Sequence, residues 1–412
     1  MIKLLSLFSG IGAFESALKR CGRPYEVVNY CEIDPHASRS YSQIHEVPET
    51  KNLRDVCAID TAKISGVNLI TYGFPCQDIS VSGKQHGFEH NGERTRSGLF
   101  YEALRIIQDL QPEYAIAENV KALVSKKFTA EFKAVLDGLE AAGYNNYWQV
   151  LNAKNYGIPQ NRERVFIISI RKDCDAGLFS FPAPQELKLR IKDMLEPAVD
   201  EKFYINSDRT KKLIEKITAS PEILRGDTEN RIKTIGHLGT DGQKGWVFNA
   251  NGISRCLAAT DYKDTTKIVE PKPVICASRG RNPENPSDRT AGAPTEQQLE
   301  LNSQGISNTL TTVQKDNYVE PKIIDDTFGF EKEARIYDDT APTLRSQRSG
   351  LRVTDAKFRL RKLTPRECFR LMGFTDAEFD SIKGVSNTQL YKQAGNSIVV
   401  NVLEAIFRQL PI

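Results

Sequence analysis

Across roughly the first 180 residues, short apolar runs alternate with longer stretches whose apolar positions recur every three or four residues. The runs Lys3–Phe8, Glu26–Cys31, Val67–Tyr72, Tyr114–Glu118, Tyr147–Leu151 and Val165–Ile170 read as strands. Several are apolar at nearly every position, as parallel strands covered on both faces are. Between them, Ala13–Cys21, Pro35–Tyr41, Leu99–Leu110 and Thr129–Ala142 read as helices, the last stopped by Gly143. Strand followed by helix, several times over, predicts a doubly wound α/β domain.

The texture changes after Pro182. From there to about residue 360 the chain is rich in Gly, Thr, Asn, Arg and Lys, and Thr210–Ile217 is its clearest helix. It also repeats itself. GISRCLAAT begins at Gly252 and GISNTLTTV at Gly305, 53 positions later, each followed by VEPK; a weaker copy, APTLRSQRS, starts at Ala341. These predict related β-turn-β units, with Leu257 and Leu310 in the core of a small domain and Arg255, Asn308 and Arg345 on one surface. Three uneven copies are too few for a solenoid. Near the end, Thr364–Leu371 carries an N-cap threonine, a proline at N1 and an acid at N3. Asn396–Leu410 reads as one long amphipathic helix. The simplest arrangement returns this helix to the first domain, with the repetitive region inserted before it.

Composition narrows the function classes. The 412 residues are 40% apolar and 26% charged, enough for one large core or two moderate ones, and the net charge of +3 is too small to argue for a nucleic-acid partner alone. Eight cysteines without a CxxC pair suit neither a disulfide framework nor a tetrahedral metal site. The expectation is a reducing cytoplasm and no metal. MIKLLSLFSGIG lacks the h-region of a signal peptide, and no stretch approaches a membrane span.

Three places carry candidate chemistry. In LFSGIGAFESAL a strand runs through a glycine turn into a helix, which lets backbone approach a ligand at a helix N-terminus. The next strand ends in Glu32-Ile33-Asp34, where an acid can accept hydrogen bonds from ribose hydroxyls, and Asp55 follows in NLRDV. Glycine turn, acid, acid describes a nucleoside cofactor pocket. GFPCQDIS places Cys76 at the mouth of a strand, and Glu118 ends what should be the neighbouring strand. A glutamate beside a thiol cannot by its charge lower the thiol's pKa. Glu118 is better suited to holding a ring nitrogen while sulfur attacks the adjacent carbon. QNRERV supplies Arg162 and Arg164, which share a face as residues i and i+2 and can point into one site.

Together FSGIG, GFPCQ, ENV, QNRERV, LTPRECFRLMGF and QAGNS, in that order, resemble the DNA (cytosine-5)-methyltransferase family of bacterial or phage type. The resemblance covers about residues 1–172 and 359–412, and 175–358 lies where that family keeps its variable target-recognition region. It implies a Rossmann-like S-adenosylmethionine-dependent domain over 1–182 and a smaller, mostly β target-recognition domain over 183–358. A connecting segment, 359–385, and a return to the catalytic domain, 386–412, follow.

The family's roles fall on matching positions. Phe8, Gly10, Ile11 and Gly12 would line the S-adenosylmethionine pocket, Glu32 would take the ribose hydroxyls and Asp55 would read the adenine. Ile33 stands where the family often has an aromatic residue and would pack on the adenine. Asn396 would order the closing segment near the pocket. Cys76 would add to C6 of cytosine, Glu118 would hold N3 and the exocyclic amine, Arg164 would assist at the carbonyl and Arg162 would support the site. The loop Ser80–Arg96 would close over a flipped base, with Ser82, Lys84, Arg94 and Arg96 on DNA; Arg279, Arg281 and Arg345 would meet DNA from the target region. The implied partners are double-stranded DNA and a cognate restriction endonuclease, the implied state a cytoplasmic monomer encoded by a bacterium or phage. Two rivals are cytosine-5 methylation of RNA, which needs the same chemistry, and a catalytically silent DNA-binding protein.

Overall fold

The computed structural model describes 1–75, 79, 86–90, 93–219, 230–239, 245–271 and 358–412, and between these last two, the backbone of six strands only. By internal contacts the chain forms two compact units. The larger comprises Met1–Phe203, Gly226–Lys267 and Lys362–Ile412, the smaller Tyr204–Arg225 and Ile268–Arg361.

The larger unit is built on a six-stranded sheet. Its strands are β1 (Ile2–Leu7), β2 (Tyr25–Cys31), β3 (Leu69–Tyr72), β4 (Tyr114–Val120), β5 (Tyr144–Asn152) and β6 (Glu163–Arg171), in the order β2-β1-β3-β4-β6-β5. The helices α1 (Ala13–Arg20), α2 (Pro35–His45), α3 (Phe100–Leu110) and α4 (Thr129–Ala141) follow the first four of these strands in sequence. Every residue of β3 is buried, and all but the last of β4, which is why both read as unbroken apolar runs. Phe74, Phe88 and Phe100 pack ring against ring beside β3, and Phe14 of α1 meets Phe407 edge-on at 6.3 Å.

One strand departs from the parallel expectation. β6 runs antiparallel to both β4 and β5. Only 153–162 separate it from β5, too short a connection for a helical crossover, so the chain must turn straight back. The consequence is functional. The start of β6, with Arg164 on it and Arg162 just before it, lies at the edge where β4 ends, and Arg164 is paired in register with Val120. A parallel strand would have put these arginines at the opposite edge.

The C-terminal helix expected over Asn396–Leu410 begins later, at Val400, and a helix that was not anticipated precedes it. After α6 (Pro365–Leu371) and α7 (Asp376–Ser381) come two separate helices, α8 (Asn387–Asn396) and α9 (Val400–Gln409). The capping box at Thr364 forms as anticipated, with the threonine hydroxyl accepting from Glu367 N–H and the Glu367 carboxylate accepting from Thr364 N–H. Between α8 and α9 the backbone is extended at Ser397 and Val399. The break frees the carbonyls of Gly395 and Ser397 to accept from Arg162.

Among its described residues, the smaller unit is mostly antiparallel β. Ile275–Arg281 is flanked by Glu296–Asn302 and Asn317–Val319, and Ile323–Asp325 by Arg335–Tyr337 and Leu351–Val353. It also holds α5 (Asp208–Ala219). The first repeat copy is in the larger unit, where Ser254–Arg255 pairs with Gln160–Asn161 and Leu257 is buried. Arg255 does not stand on an open surface, because Asp261 Oδ1 holds its guanidinium at 2.8 Å with both side chains largely covered. Asn308, Leu310 and Arg345 lie outside the described residues.

Candidate active site

At the carboxyl end of β1 the chain turns sharply. Phe8, Gly10 and Gly12 all take positive φ, of 54°, 58° and 81°. For Phe8, which has a Cβ, this conformation costs about 1–3 kcal/mol and needs support from its surroundings. The support comes from Ser9, whose hydroxyl donates to the Ser6 carbonyl at 2.9 Å and whose N–H donates to Cys31 O at 3.0 Å. The Gly10 N–H donates to Glu32 Oε2 and the Asp34 N–H to Glu32 Oε1, both at 2.8 Å. The glycine turn and the acid of the second strand are therefore one structure. Burial pushes the Glu32 carboxyl up, against the pull of those two N–H donors.

The residues present fit a nucleoside-bearing cofactor. The Glu32 carboxylate is fixed by backbone donors, and each of its oxygens retains a lone pair for a hydroxyl. Ile33 beside it is 73% exposed, an apolar side chain in the open at a strand end. A Cβ on Gly10 would meet nothing within 4 Å, so the turn borders open space. Asp55 is exposed, its Oδ1 accepting from Cys57 N–H at 3.0 Å. The Ile11 side chain is buried, and His45 Nε2 lies 3.0 Å from its carbonyl oxygen. Asn396 is exposed at the end of α8.

His45 braces the turn from behind. A Cβ on Gly12 would lie 2.0 Å from His45 Nε2, and the imidazole cannot swing away easily, being packed against Tyr41 at 4.8 Å. Gly12→Ala adds this clash to the left-handed penalty of roughly 1–2 kcal/mol for an L-residue. The expected result is a loss of at least about 2 kcal/mol in urea unfolding together with weakened cofactor binding. An unchanged unfolding midpoint would show that the turn rearranges freely.

At the end of β4 the second part of the site assembles. Glu118 is 9% exposed, and Arg164 Nε lies 3.0 Å from its Oε1. Burial raises the Glu118 pKa, with Arg164 and then Arg162 opposing. Asn119 is buried and ties this strand to its neighbour, donating from Nδ2 to the Phe74 carbonyl at 3.0 Å. A Cβ on Gly73 would stand 3.7 Å from Glu118 Oε2, so the backbone at Gly73, three residues before Cys76, lies beside the carboxylate. Cys76 itself, with Ser82 and Lys84, lies outside the described residues.

Arg162 and Arg164 do come to one place, with different work. Arg162 is 3% exposed and donates to the carbonyls of Leu257 (2.8 Å), Ser397 (2.6 Å) and Gly395 (3.2 Å). It joins three distant stretches of chain. Gly395 is required by closeness, since a Cβ there would fall 2.2 Å from Ala258 backbone atoms. Arg164 faces Glu118. Touching both guanidiniums is Cys256, with Sγ 3.3 Å from Arg162 Nη1 and 3.8 Å from Arg164 Nη2. Neither Cys256 nor Asn119 nor His45 was singled out from the sequence. Asn119 could have been, by its place after Glu118; the others carry no local signal.

Of the candidate DNA contacts, Arg94 is exposed, pairs with Glu102 at 3.1 Å and lies over the Tyr101 ring at 5.1 Å. Arg96 is exposed. Arg279 and Arg281 sit on the strand Ile275–Arg281 of the smaller unit, and Arg345 is outside the described residues. Among the described residues, no group of three or more His, Cys, Asp or Glu could hold a metal ion, and no helix is long and apolar enough to cross a membrane.

The sheet with its helices, and the glycine turn whose N–H donates to Glu32, fit one class of protein, the S-adenosylmethionine-dependent methyltransferases. Solved structures share the fold. The S. pombe Dnmt2 methyltransferase superposes with a TM-score of 0.53 at 17% identity, over 99% of this chain and 97% of that one. An Entamoeba histolytica methyltransferase, EhMeth, gives 0.56 at 16% identity with the same coverage. The family model for C-5 cytosine-specific DNA methylases matches residues 2–411, and the chain belongs to that family. It is 33% identical to the orphan methyltransferase M.SPRI of Bacillus phage SPR over 447 aligned residues, covering 99% of this chain and 97% of the relative. The chain is a DNA cytosine-5 methyltransferase using S-adenosylmethionine, and the RNA and silent-binder rivals give way to that assignment.

Proposed function

We propose that the enzyme methylates C5 of a cytosine flipped out of a particular duplex sequence, through a covalent bond between Cys76 and C6. The observation that supports this most is the buried Glu118, held by Arg164 and placed beside the backbone at Gly73, three residues before Cys76. C6 is out of reach of a thiol in a stacked duplex, so the base must leave the helix.

The residues then divide the work. The Cys76 thiolate forms the S–C6 bond, and the ring's C5–C6 electron pair makes C5 nucleophilic. Glu118, whose burial favours its protonated form, shares its proton with N3 and drains charge from the ring. Arg164 orients that carboxyl and assists at the ring carbonyl. S-adenosylmethionine, when bound, supplies an electrophilic sulfonium methyl. Phe8, Gly10, Gly12, Glu32, Ile33 and Asp55 would hold it, Glu32 at the ribose and Ile33 and Asp55 at the adenine. Once C5 has been methylated, a water molecule takes its proton, the C5–H electron pair re-forms the C5–C6 double bond, and S–C6 breaks with its pair leaving on Cys76 as thiolate. Arg162 keeps the site assembled and does not touch the base.

The loop Ser80–Arg96 closes over the site in this reading, with Ser82, Lys84, Arg94 and Arg96 toward phosphates. The region 183–358 is the target reader, with Arg279, Arg281 and Arg345 as its candidate contacts. The enzyme is a monomer. A restriction endonuclease blocked by the same mark is its functional partner, although the phage relative's designation as an orphan methyltransferase weighs against that pairing. Bisulfite sequencing of a mixed-sequence plasmid treated with enzyme and cofactor tests the reading. Protected cytosines should share one short context; protection at random positions, or none, would overturn it.

A further inference from the structure

Cys256 has no part in the reaction as described, yet it sits in the site. Its sulfur lies within 3.8 Å of both guanidiniums, and Arg164 in turn reaches Glu118 at 3.0 Å. Arg162 and Arg164 thus bring two positive charges to this sulfur, and Glu118 brings a negative charge to Arg164. The sulfur has two ways of bonding here. As a thiol it donates to the Leu257 carbonyl at 3.4 Å; as a thiolate it accepts from Arg162 and Arg164.

We propose that Cys256 is a positioning residue for the methyl transfer: its sulfur, lodged between Arg162 and Arg164, divides their positive charge between itself and Glu118. The inference rests on the reading of Glu118 as the group that holds the cytosine ring. Among the described residues, the charged side chains in contact with the sulfur are Arg162, just before β6, and Arg164 on it. On its own segment, Arg255 is committed to Asp261, and the 395–397 segment contributes carbonyls to Arg162. Burial pushes the Cys256 pKa up, but the two arginines outweigh it and hold the thiol below its ordinary value.

Glu118 and Cys256 thus compete for the same cations and titrate as a pair. While the sulfur is protonated, the guanidiniums act on Glu118 alone and pull its pKa down. Once the sulfur is ionised, part of that pull is lost, and Glu118 keeps its proton to higher pH. In Cys256→Ser no anion forms, so Glu118 should release its proton earlier. The alkaline limb of kcat should move toward acid by on the order of one pH unit.

The experiment compares kcat against pH for wild type, Cys256→Ser and Cys256→Ala, with thermal unfolding alongside. On the full-length wild type, iodoacetamide labelling is followed peptide by peptide, with the exposed Cys57, whose pKa burial and Asp55 raise, as internal reference. We expect an acid-shifted limb in both variants and half-maximal labelling of Cys256 at lower pH than Cys57. Superimposable limbs would overturn the inference, as would labelling of Cys256 at the same or higher pH than Cys57. A fall in unfolding temperature with the limb unmoved would mark Cys256 as packing only. If Glu118→Gln kept its turnover, the underlying reading of Glu118 would fail instead, and the labelling order, which does not depend on that reading, would show it separately.

Discussion

Cys76→Ser is expected to abolish nearly all methyl transfer while leaving the fold and cofactor binding in place. The exchange is close to isosteric. The segment leading to it is held by Asn119 donating to the Phe74 carbonyl, a bond in which sulfur takes no part. The cofactor turn is likewise anchored elsewhere, by Glu32 and Ser9. What changes is the nucleophile. A free thiol with a pKa near 8.5 is a few per cent thiolate at neutral pH, whereas a serine hydroxyl is essentially never ionised without a base beside it. Tritium transfer from labelled cofactor into DNA measures the loss, and calorimetry with cofactor confirms that the protein is intact. Turnover within about tenfold of wild type, equivalent to about 1.4 kcal/mol of barrier, would remove Cys76 from the chemistry.

Glu118→Gln is expected to lower kcat by about 10²–10⁴-fold, the usual worth of a positioned proton donor or acceptor. The amide preserves the shape and can still face Arg164, so DNA binding should change far less than turnover. The pH dependence carries the sharper test. Burial raises the Glu118 pKa, so the carboxyl retains its proton to higher pH than an exposed glutamate. If the protonated form serves N3, wild-type kcat declines as pH rises through that raised value, and the glutamine variant shows no such decline. A variant with wild-type turnover, or with the same alkaline limb, would move Glu118 to a structural role.

Much of this protein was legible in its sequence because the information is local. Strand and helix in the first 180 residues follow from runs and periodicity, and the Thr364–Glu367 cap from four neighbouring residues. The FSGIG, GFPCQ, ENV and QNRERV stretches carry the cofactor turn and the catalytic candidates within a few residues each. The placement of FSGIG and ENV at the carboxyl ends of their strands follows from the α/β pattern alone.

Other features depend on residues far apart, and no local pattern encodes them. The direction of β6 decides whether Arg164 meets Glu118 at all, and it is set by how short a connection can still cross a sheet. The helix expected over Asn396–Leu410 begins only at Val400, because the chain is extended at Ser397 and Val399, and the carbonyls of Gly395 and Ser397 are taken by Arg162 from more than two hundred positions away. The first repeat copy looked like part of a small β domain because its composition matches that region, but Ser254–Arg255 pairs with Gln160–Asn161 in the larger unit. Cys256 reads as a small apolar residue until two guanidiniums are found beside it. Sequence alone determined the elements, the family and the residue types the chemistry needs. Tertiary structure decided which charges share a space, because burial and electrostatic coupling depend on distance through the fold and not along the chain.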